Sequence, residues 1–131
     1  MSVKIDQALV TAFLAGSFGI GVAHENRDYK PGNDPYAEII VLQNDTTPFS
    51  LAHSDETDGV FRVILRYPAG GGAITAKTKA EEIRQHFKIG TRLTYGGASL
   101  TIKGHQRQPG IQEQGWYKLI INLPYRAILT R

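Results

Sequence analysis

The sequence predicts an α+β fold in which two helices pack on a twisted, mainly antiparallel β-sheet. Two stretches, 60–67 and 117–125, alternate apolar and polar residues with the period of a strand, and two others repeat apolar residues with the period of a helix. The order is helix, several strands, helix, several strands, which is typical of an α+β sandwich. With 131 residues the chain has room for one core of modest size, so we expect a single domain over residues 1–131.

The first helix is predicted over residues 3–15, with Ser2 as its N-cap. Its apolar face comprises Leu9, Ala12 and Phe13. Three glycines within six residues then end the helix, and a short strand around 20–24 and a polar loop over 25–35 follow. We interpret the uncharged run 7–23 as this helix and strand rather than a targeting segment, because Asp6 stands where such a segment carries positive charge and glycines interrupt its second half. The run is also shorter than the roughly 20 apolar residues of a membrane span.

The middle of the chain combines an apolar strand with a long polar segment. Residues 35–43 carry apolar side chains on both faces, which predicts a central strand covered on both sides. Residues 44–58 show no periodicity, and we predict a fifteen-residue loop that becomes ordered in an assembly.

The second half has clearer patterns. Residues 60–67 alternate as a strand, and a helix up to Phe87 carries one apolar stripe. The stripe consists of Ala76, Ala80, Ile83 and Phe87. Gly96-Gly97 predicts a tight hairpin between strands 92–95 and 98–102, and a polar loop over 103–115 leads to the last strand.

Charge is distributed unevenly along the chain. Residues 1–60 hold three Lys or Arg against nine Asp or Glu, whereas residues 61–131 hold twelve against three. Complementary surfaces of this kind suit head-to-tail self-association, unless the two halves mix within one sheet. The sequence has no cysteine, which excludes a disulfide framework and a thiolate metal site.

We predict no catalytic, cofactor-binding or metal-binding residues. The segment 71–78 follows a strand, opens a helix and approaches the phosphate-binding pattern G-x-x-x-x-G-K-[ST], but Ala76 replaces its second glycine. We therefore interpret the segment as a glycine corner between a strand and a helix. The four histidines lack the spacing of a helical zinc site, and no serine stands in a nucleophile elbow.

A small basic nucleic-acid-binding domain is an alternative. The basic second half places Tyr67, Tyr95, Trp116 and Tyr117 near Lys and Arg in the sequence, and such aromatic residues can stack on bases. Most of these rings fall on alternating apolar faces, however, where packing in the core is the more common role. The chain also lacks a known nucleic-acid-binding motif.

The assembled pattern resembles tail terminator proteins of bacteriophages with long, non-contractile tails. The resemblance covers most of the chain and depends on the order and spacing of a few segments. These are His24-Glu25-Asn26, Pro35-Tyr36, Arg66-Tyr67-Pro68-Ala69-Gly70-Gly71-Gly72, His86-Phe87, Gly90-Thr91-Arg92-Leu93-Thr94-Tyr95-Gly96-Gly97, Gly115-Trp116-Tyr117 and Leu123-Pro124-Tyr125-Arg126.

The resemblance implies a structural role without enzymatic activity. Such terminators form a hexameric ring on the head-proximal end of the tail tube, where they end tube polymerisation and offer a docking surface to the head connector. The implied partners are further copies of the chain, the tail tube protein and the connector, with DNA only in transit through the channel and no membrane. The implied location is the virion tail, after assembly in the host cytoplasm. Another neck or head-completion protein is a second alternative.

The candidate assembly residues are charged: the acidic ones lie in the predicted loop 44–58, and the basic ones follow it on the next strand and the second helix. We expect its acidic residues to contact basic residues of the next subunit or to line the channel, where they would repel DNA phosphates. The acidic candidates are Asp45, Asp55, Glu56 and Asp58. The basic candidates are Arg62, Arg66 and Lys77.

Overall fold

The structure, a computed structural model, describes residues 3–30, 32–44, 47–48 and 54–130. Two helices are present in this part of the chain, α1 (Val3–Ala15) and α2 (Ile74–His86). The strands are β1 (Gly21–Ala23), β2 (Tyr36–Gln43), β3 (Thr47–Pro48), β4 (Ser54–Pro68), β5 (Arg92–Tyr95), β6 (Ala98–Ile102), β7 (Gln106–Arg107), β8 (Ile111–Glu113) and β9 (Trp116–Thr130). Neither helix is long and apolar enough to cross a membrane.

All nine described strands belong to one sheet. The main strand order is β1-β2-β4-β9-β6-β5, with β3 paired to β4 and with β7 and β8 paired to β9. Only β1 and β2 pair in parallel, and every other described pair is antiparallel. The predicted α+β class with two helices is confirmed. The sheet, however, is richer in strands than predicted, and it curls into a half-barrel instead of forming a plain twisted sheet.

The longest pairing joins β4 to β9. Fifteen consecutive residue pairs run from Ser54 opposite Thr130 to Pro68 opposite Trp116. The prediction of a loop over 44–58 is therefore wrong for residues 54–58, which are the first third of β4, and for Thr47–Pro48, which form β3 and pair with β4. Along β4, every second residue from the buried Thr57 onwards faces the helices. The first two of these, Thr57 and Gly59, are not large apolar residues. Backbone pairing, rather than apolar alternation, makes this segment a strand.

Two other expectations need correction. The segment 103–115 is not a plain loop, because β7 and β8 lie within it and pair with the first half of β9. Strand β2 lies between β1 and β4 as predicted, but its second face is covered only in part, since Tyr36 packs against Trp116 whereas Leu42 is 42% exposed. The hairpin at Gly96-Gly97 is confirmed, with φ angles of 55° and 93° that suit the two central residues of a type I′ turn.

Both helices pack on the inner face of the sheet. The ring of Phe61 on β4 lies 6.1 Å from that of Phe13 on α1 and 5.7 Å from that of Phe87 after α2. The predicted stripe of α2 is confirmed in full, and all four of its residues are buried. On α1, Leu9 and Phe13 are buried as predicted, and Ile5 and Ala8, which were not predicted to face the core, are buried as well. The α1 and α2 stripes thus share one core, and the other face of the sheet carries the charged rows of β4 and β9.

A three-strand contact at Gly59 sets the register in the centre of the sheet. Gly59 lies opposite Tyr125 on β9 and opposite Gln43 at the end of β2. The Tyr125 hydroxyl, on a side chain only 1% exposed, donates a hydrogen bond to the Leu42 carbonyl oxygen at 3.1 Å. A Cβ atom on Gly59 would lie 2.0 Å from that carbonyl oxygen and 2.7 Å from the Tyr125 hydroxyl. Only glycine lets β2, β4 and the tyrosine approach this closely.

Gly59→Ala is therefore expected to destabilise the fold strongly. The methyl group meets backbone on one side and a buried phenol on the other, so we expect a loss of roughly 2–4 kcal/mol in the free energy of unfolding. Urea denaturation followed by circular dichroism measures the change. Gly71→Ala is the matched control, because the nearest atom to its added Cβ lies 3.9 Å away. Equal stability of the two variants would contradict the role assigned to Gly59.

Candidate assembly surface

Five of the seven candidate residues lie on one strand. Strand β4 carries Asp55, Glu56, Asp58, Arg62 and Arg66. Because side chains alternate along a strand, the last four project from the outer face, away from the helices. Lys77 is exposed on α2, and Asp45 lies outside the described residues. The structure therefore aligns acidic and basic candidates along one strand instead of placing them on a loop and a separate surface.

The acidic end of β4 has partners within the chain. Arg126 of β9 donates to both carboxylate oxygens of Glu56, with N–O distances of 2.7 and 3.2 Å. This bidentate hydrogen bonding lowers the pKa of Glu56 and raises that of Arg126. Asp58 accepts a hydrogen bond of 2.9 Å from the side-chain amide of Asn44, just after β2.

The basic candidates of β4 are also held within the chain. Arg62 Nε donates to Asn122 Oδ1 at 2.9 Å, and Asn122 itself is only 8% exposed. Arg66 forms an ion pair of 3.2 Å with Glu38 of β2, and its guanidinium group lies 5.7 Å from the centre of the Tyr36 ring. These contacts cross strands, so they hold β2, β4 and β9 together on the outer face.

The partners Arg126, Asn122 and Glu38 were missed as functional candidates. Their signal is the strand register, which places Arg126 directly opposite Asp58 and Asn122 directly opposite Arg62. The predicted strand begins at residue 60, whereas β4 begins at Ser54, so the pairing of Asp58 with Arg126 was not predicted. A contact of these acidic residues with another subunit, or a position along a channel, stays a prediction.

The glycine corner is a structural joint. Gly70 and Gly72 have φ angles of 93° and 81°, and α2 begins at Ile74 without a side-chain cap from Ala73. The strand before the corner pairs on both sides with antiparallel neighbours, unlike the parallel strands of phosphate-binding enzymes. This context favours the corner interpretation over a nucleotide site.

The aromatic residues of the nucleic-acid alternative are largely occupied by packing. Tyr67 is 7% exposed, and Trp116 packs edge-on against Tyr36 with ring centres 5.3 Å apart. Tyr95 is the more open ring at 40% exposure. Burial raises the pKa of Tyr67, with a smaller contribution from the nearby Glu82 carboxylate. In the described residues, no three His, Asp or Glu side chains are grouped as metal ligands.

The fold and surface define an α+β half-barrel whose outer sheet face carries paired charges and whose inner face carries both helices. A solved structure shares this fold with a TM-score of 0.73, at 21% sequence identity, over 95% of this chain and 90% of that chain. The family model described as phage tail terminator protein matches residues 4–125. The chain therefore belongs to the phage tail terminator family, which confirms the resemblance identified from the sequence. No curated protein matches the chain at a significant level.

Glu56→Gln tests the ion pair on β4. Because the folded-state pKa of Glu56 is lowered from its ordinary value of 4.5, its stabilising effect is present above that pH and is lost as pH falls through the lowered pKa. We expect the variant to be less stable than the parent at pH 7, with a difference that shrinks as the pH falls below about 4. Denaturant unfolding at several pH values measures it.

Glu113→Gln is the matched control, since this carboxylate is about half exposed and lies 4.0 Å from Lys118. We expect it to leave stability unchanged at every pH. A pH-independent difference for Glu56→Gln would contradict the assigned role of the carboxylate charge.

Proposed function

We propose that the chain forms a hexameric ring on the head-proximal end of a long, non-contractile tail tube. In this position it ends polymerisation of the tube and offers the docking surface for the head connector. The observation that carries this proposal is the match of residues 4–125 to the tail terminator family, supported by a fold shared over 95% of the chain.

The molecule has the surfaces that such a role requires. A closed ring needs two different surfaces on each subunit, because every copy contacts one neighbour on each side. A cap needs two further surfaces, one for the tube and one for the connector. The curled sheet separates an outer face from a helical face and ends in two edge strands, β1 and β5. The DNA in transit would pass through the centre of the ring, and the partners are then other copies, the tube protein and the connector.

Growth of tail tubes in vitro tests this function. Tube protein from the same phage is polymerised with and without the purified chain, and tube lengths are measured by electron microscopy. We expect the chain to bind one end of each tube and to shorten the length distribution as its concentration rises. The Glu113→Gln variant serves as a folded surface control with full capping activity.

Three outcomes would contradict the proposal. Tubes of unchanged length with no chain at their ends would exclude termination. Retention of duplex DNA with a steep salt dependence and without capping would favour the nucleic-acid-binding alternative. Binding to the connector alone, with no effect on tubes, would identify the chain as a different neck protein.

A further inference from the structure

The two edges of the sheet differ in charge. In the strand order β1-β2-β4-β9-β6-β5, strands β1 and β5 lie at opposite ends. With five spacings of about 4.8 Å between neighbouring strands, these edges are separated by roughly 24 Å along the curved sheet. The two edges therefore lie at different places on the molecular surface.

The edge at β5 is basic. No Asp or Glu occurs from residue 83 to residue 112, while five Lys or Arg do. Backbone hydrogen bonds from Gly90 to Ile102 and from Ile102 to Thr91 join the segment before β5 to the end of β6. The side chain of Lys4 on α1 also passes beside the turn at Gly96. The resulting surface, here called the basic edge, comprises the exposed residues Lys4, Lys88, Arg92 and Lys103.

Exposed apolar side chains accompany these cations. Val3 is 69% exposed, Ile89 is 64% exposed and Tyr95 is 40% exposed. All three lie on or next to the basic edge, on α1, before β5 and at the end of β5. Apolar residues surrounded by charged ones are the usual composition of a surface that contacts another protein.

The opposite edge is acidic. Between residues 25 and 38 there are four Asp or Glu and two Lys or Arg. The surface here called the acidic edge comprises the exposed residues Glu25, Asp28 and Asp34, which stand beside the exposed Arg27 and Lys30, while Glu38 is paired with Arg66. Because β1 has only three residues, β2 continues past it, and the Glu25 carboxylate accepts the Val41 N–H at 2.7 Å where no strand follows. Leu42, also beyond β1, is 42% exposed.

We propose that the basic edge of one copy docks on the acidic edge of the next copy. This inference rests on the proposed ring and names the contact that builds it. Two different surfaces that meet head to tail make a heterologous contact, the kind that closes into a ring. Like edges repel one another, so the same charges disfavour the symmetric dimer. The pairing differs from the predicted contact of residues 45–58 with Arg62, Arg66 and Lys77, because Arg62 and Arg66 already have partners within the chain.

Charge reversal on each edge tests the contact. Asp28→Lys with Asp34→Lys makes both edges basic, and Lys88→Glu combined with Arg92→Glu and Lys103→Glu makes both edges acidic. We expect each variant alone to assemble only at concentrations more than about tenfold above those of the parent, because like charges then meet. An equimolar mixture is expected to restore oligomers of the parental mass in which the two variants alternate. Mass photometry of the mixture, with one variant carrying a mass tag, measures this.

Glu81→Lys with Glu113→Lys is the matched control, since it makes the same change in net charge as Asp28→Lys with Asp34→Lys at exposed positions outside the two edges. We expect it to assemble like the parent. Normal assembly of either edge variant alone, or failure of the mixture to form mixed oligomers, would overturn the proposed contact. The parent is assayed in parallel for capping of tail tubes. If the chain caps tubes but assembly does not depend on edge charge, the proposed function stands and only the edge-to-edge contact is excluded. If mixed oligomers form but the parent does not cap tubes, the contact stands and the proposed function is excluded.

Site-specific crosslinking provides an independent measurement, because the chain has no cysteine of its own. The parent and three variants are treated with a bis-maleimide: Asp28→Cys, Arg92→Cys and the variant with both changes. A head-to-tail contact predicts covalent ladders longer than a dimer only for the variant with both changes. Dimers from either single variant would indicate a symmetric contact and overturn the proposal.

Discussion

The pairing of β4 with β9 is the constraint on which the rest of the structure depends. Every other described strand except β1 and β5 pairs directly with one of these two, so their register determines which residues face the helices. The contact among Gly59, Tyr125 and the Leu42 carbonyl fixes that register at the point where β2 ends. Burial raises the pKa of Tyr125, so its hydroxyl remains a donor throughout the physiological pH range.

The same register organises the charges of the outer face. It places Arg126 beside Glu56 and Arg62 beside Asn122, and the pairing of β2 with β4 places Arg66 beside Glu38, so these groups have partners within one molecule. Exposed ion pairs contribute little stability, at most about 1 kcal/mol each, but they remove charge from the surface that a partner meets. Among the charges that remain exposed, Lys4, Lys88, Arg92 and Lys103 lie at the basic edge, and Glu25, Asp28 and Asp34 lie at the acidic edge. The acidic edge thus comes from the acidic first half of the sequence and the basic edge mainly from the basic second half, although residues of both halves share the sheet.

Much of the fold could be predicted from the sequence because the spacing of apolar residues distinguishes its helices from its strands. The stripe of α2, the alternation after Gly59 and the turn at Gly96-Gly97 are local patterns, and the structure confirms them. The start of β4 has polar inward residues, and the short strands β7 and β8 are exposed, so their pairing depends on β9 rather than on their own side chains. The partners of the candidate residues could not be assigned for the same reason. They follow from cross-strand register, which no local pattern contains.

The most direct test of the account is a cryo-electron microscopy reconstruction of the head–tail junction of the phage that encodes this chain. We predict a single ring of this protein between the last ring of tube protein and the connector, with Lys88 and Arg92 of each copy facing Asp28 and Asp34 of its neighbour. Density for the chain elsewhere in the virion, or its absence from the junction, would contradict the assignment as the terminator of the tail. A ring at the junction with other surfaces in contact would retain that assignment and exclude the edge-to-edge contact.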